Sequence, residues 1–330
     1  MPNLGLGVSI AHPRASGFSG EARTLYSDSF IGWPTSGATF RDRQILSSSS
    51  STHIEYGNGI YTQNTGASGR HSLVYFNCDK QLYPVYTFPN AYALNSEVYG
   101  GSYGHAIFRK TALGGGTAAP LFSNPANPGQ DANGWTRIHP TLLPLEIGKS
   151  IIVSFNFKAV SPGDLSISNA LRFAILDSSI GGSPYYLNSD NHGLTNVLFG
   201  GNGNAPGYRG YMTTLSSTVN VNSHKILTRT IDNTNTGLVN TITGVWAPVA
   251  NQTASNVLLD DNYSVELKVK RTGSSTIVYT GKITGGALSG GTLSYTDNAP
   301  PTFVFDTLAL DVVANSCTGF QVSNIEALYV

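Results

Sequence analysis

Seventeen tyrosines, seven histidines and three tryptophans are the side chains in this sequence best suited to work on a ligand. Three groupings bring such residues close together. "GYRGYMTTLSS" (207–217) sets Tyr208, Arg209 and Tyr211 on a run hinged by Gly207 and Gly210. With Tyr185, Tyr186 and Trp246 on neighbouring loops by chain order, it offers ring faces and a guanidinium for stacking on sugars. "YGGSYGHAIFRK" (99–110) carries Tyr103, His105 and Arg109, and "RHSLVYFN" adds Arg70, His71 and Tyr75. The even spacing of His105 and Arg109 puts both on one face of a strand. A Tyr or His base beside a cation is what a polysaccharide lyase needs to take a proton from a uronate. "NSDNHG" (188–193) presents Asp190 and Asn191, oxygen donors suited to a structural calcium ion. "DANG" (131–134) and "LDDN" (259–262) are similar, and each of the three also reads as an Asx turn.

Other chemistries lack their signatures. A jelly-roll glycosidase carries Glu-x-Asp-x-x-Glu on one strand, and here Glu55, Glu97, Glu146, Glu266 and Glu326 stand apart. There is no Gly-x-Ser-x-Gly elbow for a serine hydrolase. "LGGGT" (113–117) lacks the Lys-Ser/Thr of a phosphate loop. No Cys/His spacing suits zinc, and Cys78 and Cys317 read as two buried free thiols, with a disulfide between them as the alternative. The expectation is a protein without catalysis; the alternatives are a secreted carbohydrate-binding module and, as the runner-up among enzymes, a polysaccharide lyase.

Only 12% of the residues are charged, with 19 basic and 19 acidic side chains and no basic run. Phosphate neutralisation along a nucleic acid therefore has no support. A neutral, hydroxyl-rich and aromatic surface suits glycans, or protein neighbours in an assembly, and the low charge leaves little repulsion against self-association. No apolar run reaches membrane-helix length, and the opening "MPNLGLGVSIAHPRASG" has no signal-peptide pattern. The expected location is a virion or the extracellular space.

The elements that must position these residues are strands. In "SIIVSFNFKAV" (150–160), Val153, Phe155, Phe157 and Ala159 share one face. In "ALRFAILDS" (170–178), Leu171, Phe173 and Ile175 face opposite to Arg172. "YSVELKVKRTG" (263–273) puts Val265, Leu267 and Val269 in and Ser264, Glu266, Lys268 and Lys270 out; "STIVYTGKITGG" (275–286) completes a hairpin with it. Further strands are predicted at 24–30, 70–78, 104–110, 207–217, 302–314 and 319–330, the last with a bulge near Asn324 where the alternation changes phase. Residues 56–69 read as loops or a ragged edge, 111–134 as a loop-rich insertion, and 1–23 as an assembly or docking arm. One-sided alternation predicts an all-β, antiparallel sandwich over 24–330.

From about Leu142 onward, the order "IIVSFNFKAV", "LRFAILDSS", a glycine-rich loop, "GYRGYMTTL", a charged hairpin, "FDTLALDVV" and "FQVSNIEALYV" resembles the concanavalin A-like (LamG-like) jelly rolls. That resemblance implies a jelly roll whose opening strand, "TLYSDSF", pairs with its closing one. It also implies a concave sheet bordered by "GYRGYMTTL". The opening "NLGLGVSI" resembles bacteriophage virion proteins of the tail-fibre and decoration kind. It implies partners among copies of itself or other virion proteins, and recognition of a host-surface glycan.

Overall fold

The computed structural model describes residues 22–29, 45–47, 54–57, 60–64, 70–76, 91–99, 107–113, 133–138, 143–165, 170–177, 208–216, 223–229, 246–254, 257–286, 288, 291–313 and 316–330. In chain order the strands are β1 (Arg23–Asp28), β2 (Ile45–Ser47), β3 (Ile54–Gly57), β4 (Ile60–Asn64), β5 (Arg70–Tyr75) and β6 (Glu97–Tyr99). Next come β7 (Ile107–Lys110), β8 (Trp135–Ile138), β9 (Ser150–Val160), β10 (Leu171–Asp177), β11 (Arg209–Leu215) and β12 (His224–Arg229). Last are β13 (Trp246–Gln252), β14 (Tyr263–Arg271), β15 (Ile277–Gly285), β16 (Thr292–Asp297), β17 (Thr307–Val312) and β18 (Gly319–Tyr329).

Two large antiparallel sheets form a jelly-roll sandwich. One has the order β16-β15-β14-β9-β18-β4-β3, with β1 also on β18; the other runs β13-β12-β11-β10-β17-β5-β2. Between them lies one apolar core, supplied by every second residue. Val153, Phe155 and Phe157 of β9 and Val265, Leu267 and Val269 of β14 meet Phe173, Ile175, Leu308 and Leu310 of the facing sheet. Phe173 sits edge-on to Phe155 and Phe157, with ring centroids 5.4 and 4.9 Å away. Each such side chain taken out of water stabilises the fold by about 1.5–3 kcal/mol before entropy is charged against it.

The opening strand does pair with the closing one, from Arg23↔Tyr329 to Asp28↔Ile325. The bulge in the last strand is also present. Ser323 pairs with Asn156 and Glu326 with Ser154, so Asn324 and Ile325 together oppose Phe155. Asn324 takes the left-handed conformation (φ 53°) that lets β18 absorb the extra residue. Cys317 is a buried free thiol whose Sγ–H donates to the Gly319 carbonyl at 2.8 Å, and Cys78 lies outside the described residues.

Three expectations need correction. Within 56–69, read as loops or a ragged edge, residues 56–57 and 60–64 are strand rather than loop: β3 and β4 pair and form the edge of the larger sheet beyond β18. The predicted strand 302–314 is shorter, because only Thr307–Val312 joins the sheet, while Val304 makes an isolated bridge to Pro144. One-sided burial holds for β14 and β15 but fails for β10 and β17, which are buried along their whole length. On the face of that sheet turned away from the core, Arg172 is buried because Asp311 pairs with it, Nη1 to Oδ2, at 3.1 Å.

The insertion is framed by a three-stranded sheet, β6-β7-β8, with its own small cluster of Val98, Phe108 and Trp135, against which Tyr92 packs. The Lys110 ammonium lies 5.0 Å from the Trp135 ring centroid and donates to the Asn133 carbonyl. Of the expected arm, only Ala22 and Arg23 fall within the described residues, and Arg23 already belongs to β1.

Candidate functional site

The "GYRGYM" strand is β11, and its rings are not presented to solvent. Tyr208 and Tyr211 are fully buried, Trp246 is buried at the start of β13, and Arg209 is half-buried opposite Asp177. Tyr211 points between the sheets: it stacks on Tyr279 of β15 at 5.1 Å and 16°, and donates its hydroxyl hydrogen to Asp297 Oδ2 at 2.9 Å. Met212 is buried as well, so neither of these adjacent side chains meets solvent. The ring area that suggested stacking on sugar is spent on the interior, where each hydroxyl needs, and Tyr211 finds, a partner. Gly210 (φ +148°) lets this strand approach β10 closely, since a Cβ there would stand 2.2 Å from the Ile175 carbonyl oxygen. Tyr185 and Tyr186 lie outside the described residues.

The lyase set is divided in the same way. Tyr103 and His105 lie outside the described residues. Arg109, on β7, is in register with Glu97 and donates from Nε and Nη2 to its Oε1, at 2.9 and 2.6 Å. Its fork is thereby engaged with a carboxylate of its own sheet. His71, on β5, is in backbone register with Asp311 on β17, in a different sheet from Arg109.

The calcium candidates Asp190 and Asn191 also lie outside the described residues. In "LDDN", Asp260 sits in a turn with φ 65°, and its Oδ1 accepts the Ser161 N–H at 3.3 Å; Lys158 is 4.0 Å away. These bonds to the carboxylate hold the Asp260 pKa below the usual value. Asp261 Oδ2 accepts the Tyr263 hydroxyl at 3.4 Å. Both carboxylates organise a turn. No cluster of three or more His, Cys, Asp or Glu suited to a metal occurs among the described residues.

A site that the sequence did not suggest lies on the outer face of the larger sheet. There, a depression of about 340 Å³ is lined by residues of β9, β14, β15 and β18. Strand register explains its make-up. Lys282, Glu266, Ser154 and Glu326 form one row across β15, β14, β9 and β18. Thr284, Ser264 and Asn156 form the next row, and the bulged Asn324 closes the end at β18. Ser264 Oγ donates to Asn156 Oδ1 at 3.1 Å. Among the described residues, neither the Glu266 nor the Glu326 carboxylate has a hydrogen-bond or ion-pair partner. Asn156, Ser264, Lys282, Thr284 and Asn324 are exposed, while Ser154 and the two glutamates are half-buried.

What this arrangement can do follows from its groups. Carboxylates and amides are planar, multi-point hydrogen-bonding groups, and hydroxyls both donate and accept. Held on paired strands, they are fixed more firmly than groups on loops. The one sequence clue was the phase change at Asn324, since bulges re-aim side chains next to binding sites.

No family model matches the chain, and no curated protein matches its sequence. Among solved structures, peanut lectin with a nine-residue peptide is similar at 9% identity and a TM-score of 0.40, over 94% of this chain and 98% of that one. The CBM2 module of the evolved Dit of Lactobacillus casei BL23 phage J-1 is similar at 8% and 0.37, over 93% and 95%. An endo-1,3-beta-glucanase from Streptomyces sioyaensis is similar at 10% and 0.37, over 96% and 99%. At these values the likenesses assign no activity, and the resemblance of the opening residues to virion proteins gains nothing from them.

Proposed function

We propose that this jelly roll is a carbohydrate-binding protein without catalysis, and that it holds its glycan in the depression on the outer face of the larger sheet. The observation that carries this reading is the convergence there of two unpaired carboxylates, Glu266 and Glu326, with Asn156, Asn324 and several hydroxyls. Unpaired, half-exposed hydrogen-bonding groups fixed on rigid strands are suited to the hydroxyls of a sugar ring, and binding gains from their being in place beforehand. The low charge and hydroxyl-rich composition of the chain fit the same ligand class.

The finer reading, a virion protein that assembles through its first residues and recognises a host-surface glycan, draws its support from the resemblance of "NLGLGVSI", the arm-like pattern of 1–23 and the low charge of the chain. A polysaccharide lyase draws its support from Tyr103, His105 and Arg109; the engagement of Arg109 with Glu97 weighs against it.

A glycan array probed with the purified protein tests the proposal, with product analysis of every sugar bound. Bound and unaltered oligosaccharides are expected. An empty array contradicts the reading, and shortened or unsaturated products would replace binding with cleavage.

A further inference from the structure

We infer that the depression selects glycans carrying free, protonated amines, and that Glu326 is the group that meets the amine; this rests on the carbohydrate-binding reading above. The two carboxylates stand in different fields. Glu266 has Lys282 in register on β15 and Lys268 two residues along its own strand, on the same face. The Cβ atoms of both lysines stand about 5–8 Å from its own, so two cations share its part of the face and offset its charge. Glu326 has Ser154 on one side and Ser27 of β1 on the other, with Asn324 and Leu328 along its own strand. Among these neighbours there is no cation. The nearest lysine on β9, Lys158, lies two same-face positions beyond Ser154, and its ammonium is 4.0 Å from Asp260.

The field of the depression is therefore lopsided, with its β15 side balanced and its β18 side negative. A neutral sugar satisfies the hydroxyl and amide groups but leaves Glu326 to water. A sugar whose acetamido group is replaced by an ammonium places a charge-assisted hydrogen bond there, stronger than its neutral equivalent. Glu266, already offset, is left to accept from sugar hydroxyls.

The test is calorimetric titration at pH 6 and low salt with a glucosamine hexamer and its fully N-acetylated counterpart. Wild type, Glu326→Gln and Glu266→Gln are compared, with thermal melts to verify that each is folded. The wild type should prefer the free-amine oligomer by about tenfold or more. Glu326→Gln should abolish that preference while still binding the acetylated oligomer, and Glu266→Gln should weaken both oligomers alike. Equal wild-type affinities, or a preference that survives Glu326→Gln, would overturn the inference while leaving the carbohydrate-binding reading standing. Binding of neither oligomer by a protein that binds other array glycans would also overturn it alone; a protein that binds no glycan would overturn both.

Discussion

Tyr211 of one sheet stacks on Tyr279 of the other, with ring centroids 5.1 Å apart and planes 16° from parallel. Each ring then uses its hydroxyl on a different partner. Tyr211 donates to Asp297 Oδ2 at 2.9 Å, and the Tyr279 hydroxyl lies 2.9 Å from Thr213 Oγ1. Two aromatic rings and a buried carboxylate thus tie β11, β15 and β16 together across the sandwich.

Removing the Tyr211 hydroxyl should be costly relative to the atom lost. Tyr211→Phe keeps the stacking but takes the donor from Asp297 Oδ2, leaving the Ala299 N–H on Oδ1. Urea unfolding should show a loss of about 1–3 kcal/mol, the cost of stranding a buried acceptor. An unchanged midpoint would mean that water replaces the hydroxyl.

Alkali should unfold the protein earlier than its charge balance suggests. Burial, and for Tyr211 the nearby Asp297 charge, raise the pKa values of Tyr211 and Tyr279 above the ordinary value of 10.0. The folded state keeps these protons where the unfolded chain releases them. Their stabilisation is complete below about pH 10 and is lost as pH climbs above it. Melting temperatures between pH 8 and 11.5 should fall steeply at the upper end, and less steeply in Tyr279→Phe.

The buried Arg172–Asp311 pair should matter more when broken than when replaced. Asp311→Ala leaves a guanidinium that is 7% exposed without its carboxylate. The expected loss is about 3–5 kcal/mol, whereas the double replacement Arg172→Met with Asp311→Leu should cost much less. A double variant as unstable as the single one would contradict this.

Gly281 is a packing glycine. A Cβ at that position would stand 2.0 Å from Thr213 Oγ1, the atom bonded to Tyr279. Gly281→Ala should therefore destabilise by about 1–3 kcal/mol through overpacking, read as a lower midpoint in denaturant.

What the sequence could reveal depended on how each strand is buried. β9 and β14 alternate cleanly because one face is apolar and the other wet, so Val153, Phe155, Val265 and Leu267 were legible as core. In β12, both faces are covered, and Ile226, Leu227, Thr228 and Arg229 are all buried, so no alternation marks it. β3 and β4 are only four and five residues long, too short to show a pattern, and so read as loop. The rings of "GYRGYM" were visible as chemistry, but ring type does not say which side of a strand is dry. Glu266 and Glu326 looked isolated because they become neighbours only through Ser154, which pairs with both from the strand between them. That relation is set by register, and register is a property of the assembled sheet.

The measurement that bears most directly on the function is titration of an array-selected glycan into the wild type, Glu266→Gln and Lys225→Ala. Glu266 lines the outer depression of the larger sheet, and Lys225 lies on β12 of the other sheet. A loss of affinity of about tenfold or more in Glu266→Gln, with Lys225→Ala unchanged, is the result this account predicts. Full affinity in Glu266→Gln together with a loss in Lys225→Ala would move the ligand to the opposite sheet and contradict it.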